Sequence, residues 1–482
     1  MDEKVRLTNS LRNEIVGIDT NVPCIDGSQR KYIFLDNAAS TPAFKCVLEC
    51  IENFTPWYSA VHRGTGYKSI LATAIYDRAH EIVGKFVGTD LSLNSVIFVK
   101  NTTEAINKLA NRFNFLPDDI VITTAMEHHS NDLPWRKYAK VIHVPTDPIG
   151  VLNISYLKDS LNKYKTRVKL VAIIGASNIT GYINPYHEVA ELAHKVGAKI
   201  FLDAAQLTPH RKINILSNDN IYHIDFIAFS AHKMYAPFGT GVLIGPKSFF
   251  EEGAPDMVGG GTVEIVTLDD VYWTHPPFKD EAGSPNVIGA VALARAILKL
   301  EEYGMGNIAE HELKLLEYTY EKLKQIPEII FYGDIENLQN KVGVITFNLS
   351  NIPHSLVASI LGYEGGIGVR SGCFCAHPYV KKLLNVNESE ERILTEEIKQ
   401  GNKSNLPGMV RASFGCYNNY DDVDRFIEML KKIIKKDYCG NYVLNQKLGI
   451  YTADGFDLDL EKYFPIHKEF KMKDDIHYPE SA

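Results

Sequence analysis

Short unbroken apolar runs alternate with stretches whose apolar residues recur at helical spacing over the first 300 residues or so of the chain. SVIFVK (95–100), DIVITT, KVIHVP, KLVAIIGA, AKIFLD, DFIAFS and GVLIG have the length and continuity of strands buried on both faces. Between them, residues 69–87, NTTEAINKLANRF and PYHEVAELAHKVG carry the period of amphipathic helices. YIFLD reads as a further short strand, entering the tight turn NAAST. This alternation predicts an α/β protein with a largely parallel sheet covered by helices on both faces. From about residue 286 the pattern becomes helical. NVIGAVALARAILKLEEYG and NIAEHELKLLEYTYEKLKQI read as long helices, the first bridging to a smaller α+β domain built from VGVITFNLS, SLVASILGYEG and DDVDRFIEMLKKIIKK.

The domain organisation expected is an N-terminal segment (1–34) packing with the small domain, a large domain (35–295) and a small C-terminal domain (296–438). Two stretches stand outside it: a charged insertion (387–405) and an extension (439–482) to which the sequence assigns no role.

The length of 482 residues suits more than one domain, and 45% apolar with 23% charged residues excludes global disorder. A net charge of −8 without a long Lys/Arg block argues against nucleic acid or membrane as partner. The opening MDEKVRLTNSLRNEIVG lacks the apolar core of a secretory signal, and no uncharged apolar stretch reaches the roughly 20 residues of a membrane span. A cytoplasmic enzyme acting on a small molecule is the expectation. Seven cysteines, sparse and odd in number, argue against a disulfide framework.

Several strand ends carry chemistry. Lys233 in FSAHKMYAPFGTGVLIGP follows a strand, where partial desolvation lowers a lysine's pKa and frees its amine. Asp203 ends the strand of LDAAQ thirty residues earlier. NTTEAIN places Thr102 and Thr103 at a helix start, where free N–H groups favour an anion. EHHSN supplies His128, whose flat ring can stack on an aromatic group. Each has a plainer reading when taken singly: a solvated lysine, a turn-capping aspartate, a threonine cap, a packed histidine.

Together the motifs identify a family resemblance. From about Leu35 to Lys436, FLDNAAST, AVHRG, NTTEAIN, MEHHSN, SNITG, LDAAQ, FSAHK, EAGSPN, RSGCFCAHP and VRASFGCYNN stand in family order. The chain resembles fold-type I pyridoxal-phosphate enzymes of the class V aminotransferase superfamily, most closely the SufS-like cysteine desulfurases and selenocysteine lyases. The resemblance implies a seven-stranded, mainly parallel sheet in the large domain and pyridoxal 5'-phosphate as cofactor, joined covalently to Lys233. It implies that Asp203 pairs with the pyridine nitrogen, that His128 stacks on the ring, and that Asn178 and Gln206 contact its phenolic oxygen or nearby atoms. Thr102, Thr103, Ser230 and His232 are implied as phosphate ligands, with Ser284 reaching the phosphate from a partner subunit, hence a homodimer. Ala38, His62, Arg63, Arg370 and Arg411 are implied at the substrate, Arg411 holding its carboxylate. Cys375, the last cysteine of RSGCFCAHP, is implied as the sulfur acceptor, with Arg370 and His377 favouring its thiolate.

The expected reaction removes sulfur from L-cysteine to give L-alanine and a persulfide on Cys375, which then passes to a protein acceptor. Alternatives are a class V aminotransferase or a C–S or C–Se lyase sharing the cofactor site, and a cofactor-bearing scaffold without turnover. A structural thiol remains open for Cys375. No metal is expected, because the CxC of Cys373 and Cys375 has no second matching pair. The chain departs from its relatives in two places. Cys373 and Phe374 stand where SufS-like enzymes usually carry histidines, a pair closer to molybdenum-cofactor sulfurases. The thirty-six residues from Cys375 to Arg411 exceed the usual connection, so that the insertion either covers the active site, docks a sulfur acceptor or is a solvated excursion.

Overall fold

The computed structural model describes residues 11–470. All seven apolar runs of the first 250 residues form one sheet. Its strands are β1 (Asn94–Val99), β2 (Ile120–Thr124), β3 (Lys140–Val144), β4 (Val168–Ile174), β5 (Lys199–Asp203), β6 (Phe226–Ser230) and β7 (Gly241–Pro246), in the spatial order β1-β7-β6-β5-β4-β2-β3. Only β7 runs against its neighbours; β6, β5, β4, β2 and β3 pair in parallel.

The strands read as continuous apolar runs because both faces are covered. Val96, Phe98, Ile120, Ile122, Ile200 and Leu202 face one apolar core, whereas their sequence neighbours Ile97, Val99, Val121 and Phe201 face another. The first core is closed by α2 (Tyr67–Phe86), α4 (Tyr186–His194) and α5 (Val287–Tyr303), which follow α1 (Lys45–Phe54); the second is closed by α3 (Thr102–Arg112) with Trp135 and Phe250. The period-two alternation of a strand thus becomes two buried faces rather than one buried and one wet.

After α6 (Met305–Leu323), a four-stranded antiparallel sheet forms from β8 (Ile329–Tyr332), β9 (Val344–Leu349), β10 (Arg370–Gly372) and β11 (Met409–Ser413), in the order β8-β9-β11-β10. Its own core packs Ile345, Phe347, Val410 and Ala412 against α7 (His354–Gly365) and the final helix (Tyr420–Lys435). Ile33 and Leu35 belong to this core, and YIFLD is a strand only over Ile33–Phe34, paired in parallel with Ile367–Gly368. The bridging helix α5 is packed in the first core along most of its length, from Val287 to Tyr303.

The insertion is a helix, Glu388–Lys399, started by a capping box between Asn387 and Glu390. None of its residues is buried. The extension forms a hairpin (Tyr442–Asn445 with Ile450–Ala453) held on α7, where Ser359 donates to the Tyr451 carbonyl at 2.6 Å. The Glu364 carboxylate accepts from the backbone N–H of Cys439 at 2.9 Å and of Gly440 at 2.8 Å. The last twelve residues of the extension and the first ten of the N-terminal segment lie outside the described residues.

Candidate active site

Strand register assembles the site. Ile174, Asp203 and Ala228 lie in one row across β4, β5 and β6, while Ser230 and Val99 flank Gly241 on either side of β7. The residues that follow these positions therefore emerge at one edge, the carboxyl edge of the parallel strands, where α/β sheets bind ligands. Gly241 allows the close approach: a Cβ there would stand 2.6 Å from the Cα of Asn101. The start of α3 is thereby seated directly on the sheet. A cavity of about 330 Å3 opens at this edge.

Thirteen of the sixteen residues singled out from the sequence line that cavity: Ala38, Thr102, Thr103, His128, Asn178, Asp203, Gln206, Ser230, His232, Lys233, Arg370, Cys375 and Arg411. His62, Arg63 and Ser284 do not. They line a second cavity of about 980 Å3, formed by the loop before α2 and the segment around Glu281, beside an apolar hairpin (Val263–Val266 with Val271–Trp273).

Lys233 sits in the turn after β6, and burial, followed by the charge of Arg411, lowers its pKa to about 8 against the pull of Asp203. Burial likewise raises Asp203, whose Oδ1 accepts from the Ala205 N–H at 3.0 Å. His128 Nδ1 accepts from the Ser130 N–H at 3.1 Å, and burial, with the charge of Lys233, lowers the ring to about 3. The imidazole is therefore a neutral plane at neutral pH. Ser230 Oγ bonds Thr102 at both its N–H (2.8 Å) and its hydroxyl (2.7 Å), and Thr103 bonds Ser130 at 2.7 Å. A cluster of hydroxyls thus collects at the amino end of α3, where the helix dipole favours an anion.

Arg411, 2% exposed, donates to the Asn178 carbonyl at 3.0 Å and to Asp36 Oδ1 at 2.9 Å. Asp36 Oδ2 accepts from Arg370 Nε at 2.9 Å. The guanidinium of Arg411 lies 4.8 Å from the centre of the Phe374 ring. Phe374 and Cys375 both have positive φ, 47° and 56°, which side-chain-bearing residues rarely adopt. Two bonds hold this turn: Asn178 Nδ2 donates to the Phe374 carbonyl at 2.8 Å, and the His129 N–H donates to the Cys375 carbonyl at 2.7 Å. The Cys375 side chain is exposed at the cavity. Lys233 and Arg411 line the same cavity. His377, by contrast, is lowered by burial and by His129, and Arg370 is paired with Asp36. Cys373 is of another kind. Its Sγ donates to the Pro407 carbonyl at 3.0 Å, and burial raises its thiol to about 11.

Sequence reasoning passed over Asp36, Asn101, Ser130 and Glu127, although all four lie within the quoted motifs, and noted Phe374 only as a departure from the family pattern. Glu127 is buried, raised to about 8 by burial, and ties β2 to β4 by accepting from the Ile174 N–H at 3.0 Å and from Asn131 Nδ2 at 2.7 Å. Three buried polar atoms at the cavity have no hydrogen-bond partner among the described residues: Asn178 Oδ1, Gln206 Oε1 and Arg411 Nε. Orphaned groups of this kind call for a polar ligand. With an acid at one end of the cavity, hydroxyls at a helix start and a lysine of lowered pKa, they fit the cofactor expected from the sequence.

Comparison with known proteins shows the family. Residues 33–426 match the family model described as aminotransferase class-V. A probable cysteine desulfurase of Halalkalibacterium halodurans is 35% identical over 419 residues, covering 85% of this chain and 94% of that protein. A cysteine desulfurase of Haloferax volcanii is 32% identical, covering 86% and 92%. Among solved structures, the cysteine desulfurase of Thermococcus onnurineus superposes with a TM-score of 0.76 at 33% identity, covering 89% of this chain and 98% of the other.

Proposed function

The chain belongs to the aminotransferase class-V family, and from that premise we propose that it is a pyridoxal-phosphate-dependent cysteine desulfurase. The observation that carries the reading is the convergence of the Lys233 amine, the Arg411 guanidinium and the exposed Cys375 thiol on one cavity. Lys233, Asp203, His128, Asn178, Gln206 and the hydroxyls of Thr102, Thr103 and Ser230, with His232, would hold the cofactor. Bound pyridoxal phosphate supplies an electron sink for negative charge at the substrate Cα.

The protein's part follows from its own groups. Arg411, whose guanidinium lines the cavity while Asp36 and the Asn178 carbonyl fix its two terminal nitrogens, takes the substrate carboxylate. Lys233, lowered to about 8, has a substantial neutral fraction near neutral pH and removes the Cα proton, then returns one. The Cys375 thiolate attacks the substrate sulfur. A new S–S bond forms on Cys375 as the Cβ–S bond breaks, and the electron pair leaves with Cβ, which is protonated to give alanine. The persulfide then passes to an acceptor thiol.

A homodimer completes the reading. His62, Arg63 and Ser284 sit in a separate cavity beside a hairpin whose Ile265, Val266, Val271 and Tyr272 are exposed, and such an apolar surface suits a partner subunit. A cytoplasmic location belongs to the same proposal, as expected from the composition. No helix among the described residues is long and apolar enough to cross a membrane.

The test is alanine and sulfide release from L-cysteine with a reductant present. Wild type and Cys373→Ala are expected to release alanine, and Cys375→Ala to release none while retaining the visible cofactor absorbance. Equal activity of Cys375→Ala and wild type would overturn the nucleophile and favour aminotransferase or lyase chemistry.

A further inference from the structure

Outside the cofactor cavity, three donors meet on one buried carboxylate. Glu281, its side chain 3% exposed, accepts from the Tyr76 hydroxyl at 2.6 Å, from the Phe98 N–H at 2.6 Å and from His80 Nε2 at 3.0 Å. Tyr76 and His80 stand about one turn apart on α2, and Phe98 lies in the edge strand β1. Given the homodimer of the proposed function, on which this reading rests, we propose that Glu281 is the positioning residue for Ser284: its carboxylate fixes the segment that carries the Ser284 hydroxyl to the cofactor phosphate of a partner subunit.

The segment has little freedom of its own. Glu281 is buried, yet Gly283 and Ser284 are exposed. Gly283 makes that exit with a φ of 82°, open to glycine at no steric cost, and its N–H donates to the Gly260 carbonyl at 2.7 Å. Pro285 follows, its own φ fixed by the ring. Asn286 then closes the segment. Its Nδ2 donates to the Phe238 and Gly239 carbonyls at 2.7 and 3.0 Å, and its Oδ1 accepts from the Gly289 N–H at 2.9 Å in the first turn of α5. Only residues 282–285 lie between these two anchors, so where the anchors sit decides where Ser284 stands.

A carboxylate suits the first anchor. Its two oxygens take donors from two directions, a helix face and the backbone of a strand, and hydrogen bonds to an ionised group are the stronger kind. Loss of Glu281 would leave the Phe98 N–H, Tyr76 and His80 unmet and free the segment at one end. β1 itself stays paired with β7 from Asn94 to Val99, so the start of α3 in the same subunit keeps its place. Hydrogen bonds weaken steeply once distance or angle departs from the optimum, so a displaced Ser284 loses its bond to the phosphate. The effect is therefore directional: removing Glu281 from one subunit is felt by the cofactor of the other.

Hybrid dimers read that direction. Subunits with different tags are co-expressed and one of them carries Lys233→Ala, so that lysine-bound cofactor, seen by its visible absorbance, is present only in the other. Cofactor release from the hybrid holoenzyme is followed as loss of that absorbance in excess inorganic phosphate. Ser284→Ala on the Lys233→Ala subunit is expected to speed release about 10-fold or more, as the loss of one hydrogen bond to a charged group does. Glu281→Ala on that same subunit is expected to approach this rate, and the two substitutions together to be no faster than Ser284→Ala alone. Glu281→Ala on the subunit that keeps Lys233 is expected to leave release at the rate of the unsubstituted hybrid.

Equal effects of Glu281→Ala in the two placements, or losses additive with Ser284→Ala, would make Glu281 a merely structural group and overturn the proposal. Faster release with Ser284→Ala but not with Glu281→Ala on the Lys233→Ala subunit overturns the positioning role alone. No effect of Ser284→Ala on that subunit refutes the shared-site dimer, and the proposal falls with it. Should Glu281→Ala fail to fold, Tyr76→Phe decides, because it removes one bond to the carboxylate and keeps the ring. It is expected to speed release about 3-fold on the Lys233→Ala subunit and not at all on the other, and equal rates in both placements overturn the proposal.

Discussion

Asp36 offers the sharpest test of how the substrate end of the cavity is built. Its two carboxylate oxygens serve two arginines, Arg411 inside at 2.9 Å and Arg370 outside at 2.9 Å. Asp36→Asn preserves the shape and removes the charge. The amide oxygen of the variant would still accept one bond from Arg411, but its NH2 group would face the Arg370 N–H donor to donor, and Arg370, half exposed, would leave for solvent. That outer loss matters little, since exposed pairs contribute about 0–1 kcal/mol. Arg411 is different, because stranding one member of a buried pair costs about 3–5 kcal/mol. The bond that survives recovers about 1 kcal/mol, which leaves a destabilisation of about 2–4 kcal/mol.

The same reasoning gives a second, less obvious outcome. Without the Asp36 charge, the carboxylate of a bound amino acid becomes the main counter-ion of Arg411, so L-alanine should stabilise the variant more than the wild type. Chemical unfolding of the holoenzyme with and without L-alanine reads both quantities. An unchanged midpoint in the variant, or a smaller L-alanine effect than in wild type, would refute the assignment of Asp36 as the counter-ion that holds Arg411 ready.

Cofactor recapture by the apoenzyme should accelerate as pH rises through about 8 and then level off, because the neutral amine of Lys233 is the reactive form; a rise continuing to pH 10.5 would contradict its burial. Glu127, raised to about 8, keeps a proton in the folded state that the unfolded chain releases above about pH 4.5. Stability therefore falls between those values as pH rises, and Glu127→Gln should flatten that dependence, as read from urea midpoints at pH 5 and pH 8. Glu127→Leu should cost about 3 kcal/mol or more by stranding the Ile174 N–H and the Asn131 amide. If Ser284 serves the partner's cavity, mixing Lys233→Ala subunits with Ser284→Ala subunits should yield some dimers with one intact site and restore part of the activity that neither variant shows alone.

The strands of the central sheet were legible because all but the edge strand β3 are buried on both faces, so that SVIFVK or DFIAFS leaves an uninterrupted apolar signature. The cavity residues were legible through motifs, yet their partners were not. Asp36 stands in FLDNAAST and Ser130 in EHHSN, but a motif shows which residues recur and not which atoms they hold. A buried charge left unpaired costs on the order of several kcal/mol, so a partner for Arg411 had to exist. Only the fold shows that this partner comes from 375 residues away. The insertion was harder still, since NESEERILTEEIKQ forms a helix on its cap and helical propensity, without a buried face to announce it.

The cluster of His194, His223 and Asp225 marks the limit of linear reading most clearly. His194 and His223 are twenty-nine residues apart, and neither belongs to a spacing that suggests a contact. What joins them is the parallel pairing of β5 with β6, which brings the end of α4 beside the turn that enters β6. The catalytic edge and this edge are the two ends of the same strands. Asp203 and Ser230 close β5 and β6 at one end, while Lys199 and Asp225 open them at the other. The Asp225 carboxylate, which fixes the entry of β6 by accepting from His194, Lys199 and the Ile200 N–H, acts on the strand whose exit carries Lys233, so loss of that carboxylate should reach activity through the stability of the strand and not through the chemistry of the cavity.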